Sequence, residues 1–108
     1  MHIKRIYNNP VRTKLIWDKT KRASNLAKHG LDFANASMVL ASVHRLDVEI
    51  LRDDELRVMS FSYVLEVLAV LAVLTVVHTE RDKSARIISF RPASNEGREV
   101  YYGWLEGE

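Results

Sequence analysis

The sequence predicts an α+β fold: a small single domain with an antiparallel β-sheet, an N-terminal helix pair and a C-terminal helix. Three observations carry this. Residues 19–42 place apolar side chains at helical spacing, residues 45–91 alternate in short β-prone runs, and Ser94, after Pro92, opens a further helix. Helices set apart from a run of hairpin strands give α+β and not a doubly wound sheet. With 108 residues and 47% hydrophobic content, the chain can bury one modest core.

Residues 1–13 are polar and basic, with a turn signal at Asn8-Asn9-Pro10 and no apolar run of the kind a secretory signal needs, so a flexible leader is expected there. The domain proper is expected over residues 14–108. Lys14-Leu15-Ile16-Trp17 is short and β-prone and reads as a first strand. Asp18 suits the N-cap of a helix to about His29, where Gly30 ends it by accepting a left-handed backbone. Asp32 caps a second helix from Phe33 to about Ser42, with Phe33, Ala36, Val39 and Leu40 on one face.

From Arg45 the period becomes two, with Leu46, Val48 and Ile50 opposed to Asp47 and Glu49. Arg52-Asp53-Asp54-Glu55 is a charged turn. Strands follow over Leu56–Val64, within Val67–Thr79, and from Ala85 to Arg91 beyond the turn at Arg81–Ser84. A last helix runs to about Leu105, anchored on the sheet by Tyr101, Tyr102 and Trp104.

Charge and composition narrow the function classes. The chain has no cysteine, which removes disulfides, thiolate nucleophiles and cysteine metal sites and suits a reducing cytoplasm. Net charge is only +2, yet residues 1–28 hold Lys4, Arg5, Arg12, Lys14, Lys19, Lys21, Arg22 and Lys28 against Asp18 alone. Such local excess favours an anionic partner, nucleic acid or an acidic protein. The apolar run Val64–Val77 contains Glu66 and is shorter than the ~20 residues a membrane helix needs. No membrane association, metal or cofactor is expected. His2, His29, His44 and His78 form no ligand-spaced set, and Gly30, Gly97, Gly103 and Gly107 form no phosphate loop.

The positions of Arg81, Arg86 and Arg91 near strand ends do suggest chemistry. On a regular strand Ser89 and Arg91 share a face with Ile87, while Arg86 points with Ile88 and Phe90. An arginine among apolar neighbours needs an anion. A sheet-edge carboxylate such as Asp47 or Glu49 would satisfy it structurally; a phosphate clamp would satisfy it functionally. Cleaving RNA without metal requires a base, an acid and cations at the phosphorane, and His29 and His78 are the candidates for proton transfer. Lys28 is expected as an auxiliary cation at the end of the first helix; Tyr101 would either stack a base or pack as a helix aromatic in the core. The helix–glycine–helix of residues 19–42 also has the outline of a DNA-binding helix-turn-helix, but Phe33–Ser42 contains no lysine or arginine to read bases.

Trp17-Asp18, Lys21, Asn25, Lys28-His29-Gly30, Phe33, Ala36, Glu55-x-Arg57, His78-Thr79-x-Arg81, Arg86-Ile87-Ile88-Ser89-x-Arg91, Ala93-Ser94 and Tyr101 occur in an order that resembles the BrnT toxins, over roughly Ile16 to Tyr101. The resemblance implies a RelE-like ribonuclease fold. It implies a toxin that cleaves RNA and inhibits translation, neutralised by a BrnA-type antitoxin, with operator DNA contacted only through the antitoxin and a homodimer among the expected assemblies. It places His29, His78, Arg81, Arg86 and Arg91 in catalysis, and Lys28, Arg98 and Tyr101 in substrate binding. Two departures stand out: Phe61-Ser62 and a longer central hairpin replace glycines of the family pattern, and Gly97 replaces a glutamate in the last helix. A weakened homologue that binds antitoxin or nucleic acid without cutting is the alternative they imply.

Overall fold

The computed structural model describes residues 2–4, 14–65 and 71–107. In chain order these form β1 (His2–Lys4), β2 (Lys14–Ile16), α1 (Lys19–His29), α2 (Ser37–Leu40), β3 (Leu46–Arg52), β4 (Glu55–Leu65), β5 (Leu71–Arg81), β6 (Ser84–Pro92) and α3 (Asn95–Glu106). One six-stranded sheet has the order β1-β3-β4-β5-β6-β2. The α+β expectation holds. The sheet is mixed, however, because β2 runs parallel to β6, with Leu15 opposite Ala85. Two-residue turns join β3 to β4 and β5 to β6 and reverse the chain, whereas β2 and β6 are joined through most of the chain and carry no such constraint. Within the segment expected as a leader, β1 pairs antiparallel with β3, Ile3 opposite Val48. The turn of the long β4–β5 hairpin lies outside the described residues.

The local signals act as read. Asp18 accepts from the Lys21 amide at 3.0 Å to start α1, and Gly30, at φ 71°, returns its N–H to the Leu26 carbonyl. The predicted helix over 33–42 is instead a 3-10 turn, Phe33–Asn35, followed by the single turn of α2. Both pieces still deliver Phe33, Ala36, Val39 and Leu40 to the core. The β3–β4 turn is two residues long, with Asp53 and Asp54 both at positive φ (52° and 63°), as a hairpin twist demands.

Helices cover both faces of the sheet. On one side α1, the 3-10 turn and α2 enclose Phe33, Val39, Leu74, Val76, Ile87 and Phe90. On the other, α3 packs Tyr101 against Leu46, Val48, Phe61 and Val73. Here the two departures from the family pattern meet. A Cβ on Gly97 would lie 2.9 Å from Phe61 Cε1, so any larger residue on α3 would have to displace the bulky ring on β4. Ser94 still caps α3 by accepting from the Gly97 amide at 3.1 Å.

Candidate active site

A β-bulge builds the arginine face. Along β6 the register pairs Arg86 with Thr79 and Arg91 with Thr75, and it shifts between Val77 and His78. Arg86 and Arg91 are five residues apart, so a regular strand would send them to opposite faces. The bulge absorbs one residue, and both then share the face of Thr75, Thr79 and Arg81 on β5. The same shift lets Ile87 and Phe90, three apart, enter one core cluster. Asn25 of α1 holds this segment: its amide accepts from Phe90 N–H at 3.1 Å and donates to Phe90 C=O at 2.8 Å, beyond the point where β2 pairing ends. The regular alternation expected for Arg86 and Arg91 is thereby corrected.

Two of the three arginines line a cleft of about 570 Å3 together with Glu55, Thr79, Glu80 and Ser84. Arg91 lies further along the same face and does not line it. Glu55 Oε2 accepts from Arg86 at 3.3 Å, while its Oε1 accepts from Arg57 Nε at 3.0 Å. Arg86 and Glu55 are 45% and 40% exposed, so water screens the pair and it holds little of the fold together. Glu55 is the residue that sequence reasoning left out of the site. Its parity was readable: a two-residue hairpin fixes register, and Glu55 shares a strand face with Arg57.

His78 does not join the arginines. It is fully buried on the opposite face of the sheet, beneath the α2 side. Ser60 Oγ donates to Asp47 Oδ1 at 2.6 Å, so it can only accept from His78 Nε2–H at 2.8 Å. Burial first, and the Arg45 charge second, push the imidazole down from 6.5 to about 3. The neutral ring therefore makes no ion pair with Glu80, whose Oε1 lies 3.7 Å from Nδ1. Arg45 completes the network, donating to Asp47 Oδ1 at 2.7 Å, to the Leu40 carbonyl at 3.0 Å and to Glu80 at 3.3 Å. Asp47, one of the carboxylates that could have paired a β6 arginine, serves Arg45 instead.

The remaining candidates are dispersed. Tyr101 is fully buried on α3, donating to the His44 carbonyl at 2.8 Å and accepting from Tyr63 N–H at 3.3 Å, so its ring presents no face for a base. Arg98 is exposed on α3 and donates to Asn95 Oδ1. Lys28 and His29 close α1, where cations favour the helix C-terminus, and line a second cleft of about 260 Å3 at the β6 edge, with no residue shared between the two clefts. Among the described residues no three His, Asp or Glu side chains group as metal ligands. No helix among them is long and apolar enough to cross a membrane.

A family model described as "Ribonuclease toxin, BrnT, of type II toxin-antitoxin system" matches residues 17–96, from the entry to α1 through the start of α3. The chain belongs to the BrnT family. No curated protein matches it. The matched region contains the bulge, all three arginines and Glu55; Arg98 and Tyr101 fall beyond it.

Proposed function

We propose that this BrnT toxin is a metal-independent endoribonuclease whose arginine face holds the scissile phosphate. The observation that carries this reading is the bulge that turns Arg86 onto the face of Arg81 and Arg91, beside Glu55. Guanidinium forks bind phosphoryl oxygens and stabilise the charge that builds on them as the 2′-oxygen attacks phosphorus. A phosphodiester entering the cleft draws Arg86 away from Glu55 and leaves that carboxylate to accept the 2′-hydroxyl proton. The P–O5′ bond then breaks, leaving a 2′,3′-cyclic phosphate, and the departing 5′-oxygen takes its proton from water or from the protonated Glu55. His78, buried behind the sheet, has no part in this.

RNA cleavage accounts for inhibition of translation in the cytoplasm. The proposed partner is a BrnA-type antitoxin, which brings operator DNA to the complex. The segment that had the outline of a DNA-reading helix supports that division, because it spends its side chains on the core and is only a 3-10 turn and one helical turn. Purified protein should cut RNA in the presence of EDTA, and its expression should arrest growth unless the antitoxin is co-expressed. Intact RNA at protein excess, or cleavage abolished by EDTA, overturns the reading. Antitoxin binding without either effect favours the non-cutting alternative.

A further inference from the structure

We propose that the cleft between α1 and the outer edge of β6 is a second phosphate subsite, which holds the backbone of the RNA strand away from the bond being cut. The inference rests on the reading of the arginine face as the cleaving site.

Lys21, Ser24, Asn25, Lys28, His29 and Ser89 bring ammonium, imidazole, amide and hydroxyl groups to this cleft, and no Asp or Glu lines it. Lys21, Ser24 and Lys28 fall at one-face spacing around Asn25, the residue clamped to Phe90. The clamp thus fixes the basic side of α1 along the strand that carries Arg86 and Arg91. On the same helix Arg22 is already committed: Asp32 accepts from it at 2.7 and 2.9 Å, and it lies 5.2 Å over the Trp17 ring. Among the described residues, neither Lys21 nor Lys28 has an ion-pair partner. Two exposed ammonium groups beside two hydroxyls suit a phosphodiester, which lysine binds as a point charge without regard to sequence. An acidic protein segment would require apolar anchors as well, and Ile88 is the one apolar side chain in the lining.

Ser89 links the two places. Its register partner is Val77, which gives it the parity of Arg91, yet it also lines the α1 cleft. It lies three positions along β6 from Arg86, about 10 Å of strand. One phosphate cannot span that distance, whereas a short single strand can.

The test is the Lys21→Gln/Lys28→Gln double variant, in which glutamine preserves helix propensity. Binding of a non-cleavable all-2′-deoxy decanucleotide should lose salt dependence, the log–log slope becoming shallower by about 1.4 for two lost phosphate contacts. KM for a cleavable decanucleotide should rise about tenfold more than KM for a dinucleotide, which has no distal phosphate to place. The Lys21→Arg/Lys28→Arg variant should restore both. An unchanged slope overturns the subsite, as does an equal loss on the dinucleotide, and weakened antitoxin binding with an unchanged slope assigns the cleft to the protein partner. If the wild-type chain cuts neither substrate, the cleavage reading fails while the salt slope still reports on the subsite.

Discussion

Two arginine–carboxylate pairs lie on opposite faces of one sheet and do opposite things. Arg45 and Asp47, 2.7 Å apart, are 6% and 0% exposed and tie β3 to Ser60 and His78. Arg86 and Glu55, 3.3 Å apart, are 45% and 40% exposed and face a cleft. The chemistry is the same in both. Burial makes the first pair part of the fold, since a desolvated charge must keep its partner. Exposure leaves the second free to exchange its partner, as the proposed phosphate clamp requires.

The comparison is broken most directly at Asp47. Asp47→Ala should cost ~3–5 kcal/mol in urea unfolding, because the Arg45 guanidinium stays buried without its closest carboxylate. Glu55→Ala, measured in the same way, should cost less than ~1 kcal/mol. Similar values for the two would erase the distinction between the faces.

Next in size are the arginines. Arg81→Ala, Arg86→Ala and Arg91→Ala should each slow RNA cleavage by ~100- to 1,000-fold, or ~2.7–4 kcal/mol by analogy with oxyanion-hole donors. Thermal unfolding of the same proteins should show less than ~1 kcal/mol of lost stability. Full activity in folded variants would sink the clamp, and collapse on heating would make the open pair structural like the buried one.

The smallest effect per step is a pH dependence that the buried histidine should show. In the folded chain His78 is held near 3, against 6.5 when unfolded, so between those values only the unfolded state takes up the proton. Stability should therefore fall as pH is lowered from 6.5 towards 3, by up to ~1.4 kcal/mol per unit, and be flat in this group above 6.5. Asp32, held down to about 2 by Arg22 and then by the Ala34 amide, adds a loss of the same sign only below its ordinary 3.8. Urea unfolding between pH 6.5 and 4.5 isolates the histidine, and His78→Gln should remove the slope. A slope that survives in that variant would mean another group carries it.

Much of this was legible in the sequence, for local reasons. Asp18, Gly30 and Ser94 mark helix ends by hydrogen bonds and backbone conformations confined to a few neighbouring residues, and all three act as expected. The alternation of Leu46, Val48 and Ile50 announces a strand with one buried face for the same reason. The site was legible only as a set of residue types. His78 and Arg81 are three residues apart, yet strand parity and burial beneath α2 separate them. Tyr101 carries a hydroxyl suited to RNA, yet its partners, His44 and Tyr63, lie far away in the chain and enclose it.

By itself, then, the sequence determined the order of elements, the caps that bound them, the basic bias of the first helix and membership of the BrnT family. Each is a property of neighbouring residues or of motifs in order. Only the tertiary structure decided which face each arginine takes. The bulge that brings Arg86 and Arg91 together is consistent with Ile87 and Phe90 both entering the core and with Asn25, 65 residues from Phe90, completing the strand's hydrogen bonds. It decided likewise that Gly97 packs directly against the Phe61 ring. Parity along a strand is a local rule; where that rule is broken depends on what packs across the sheet from distant parts of the chain.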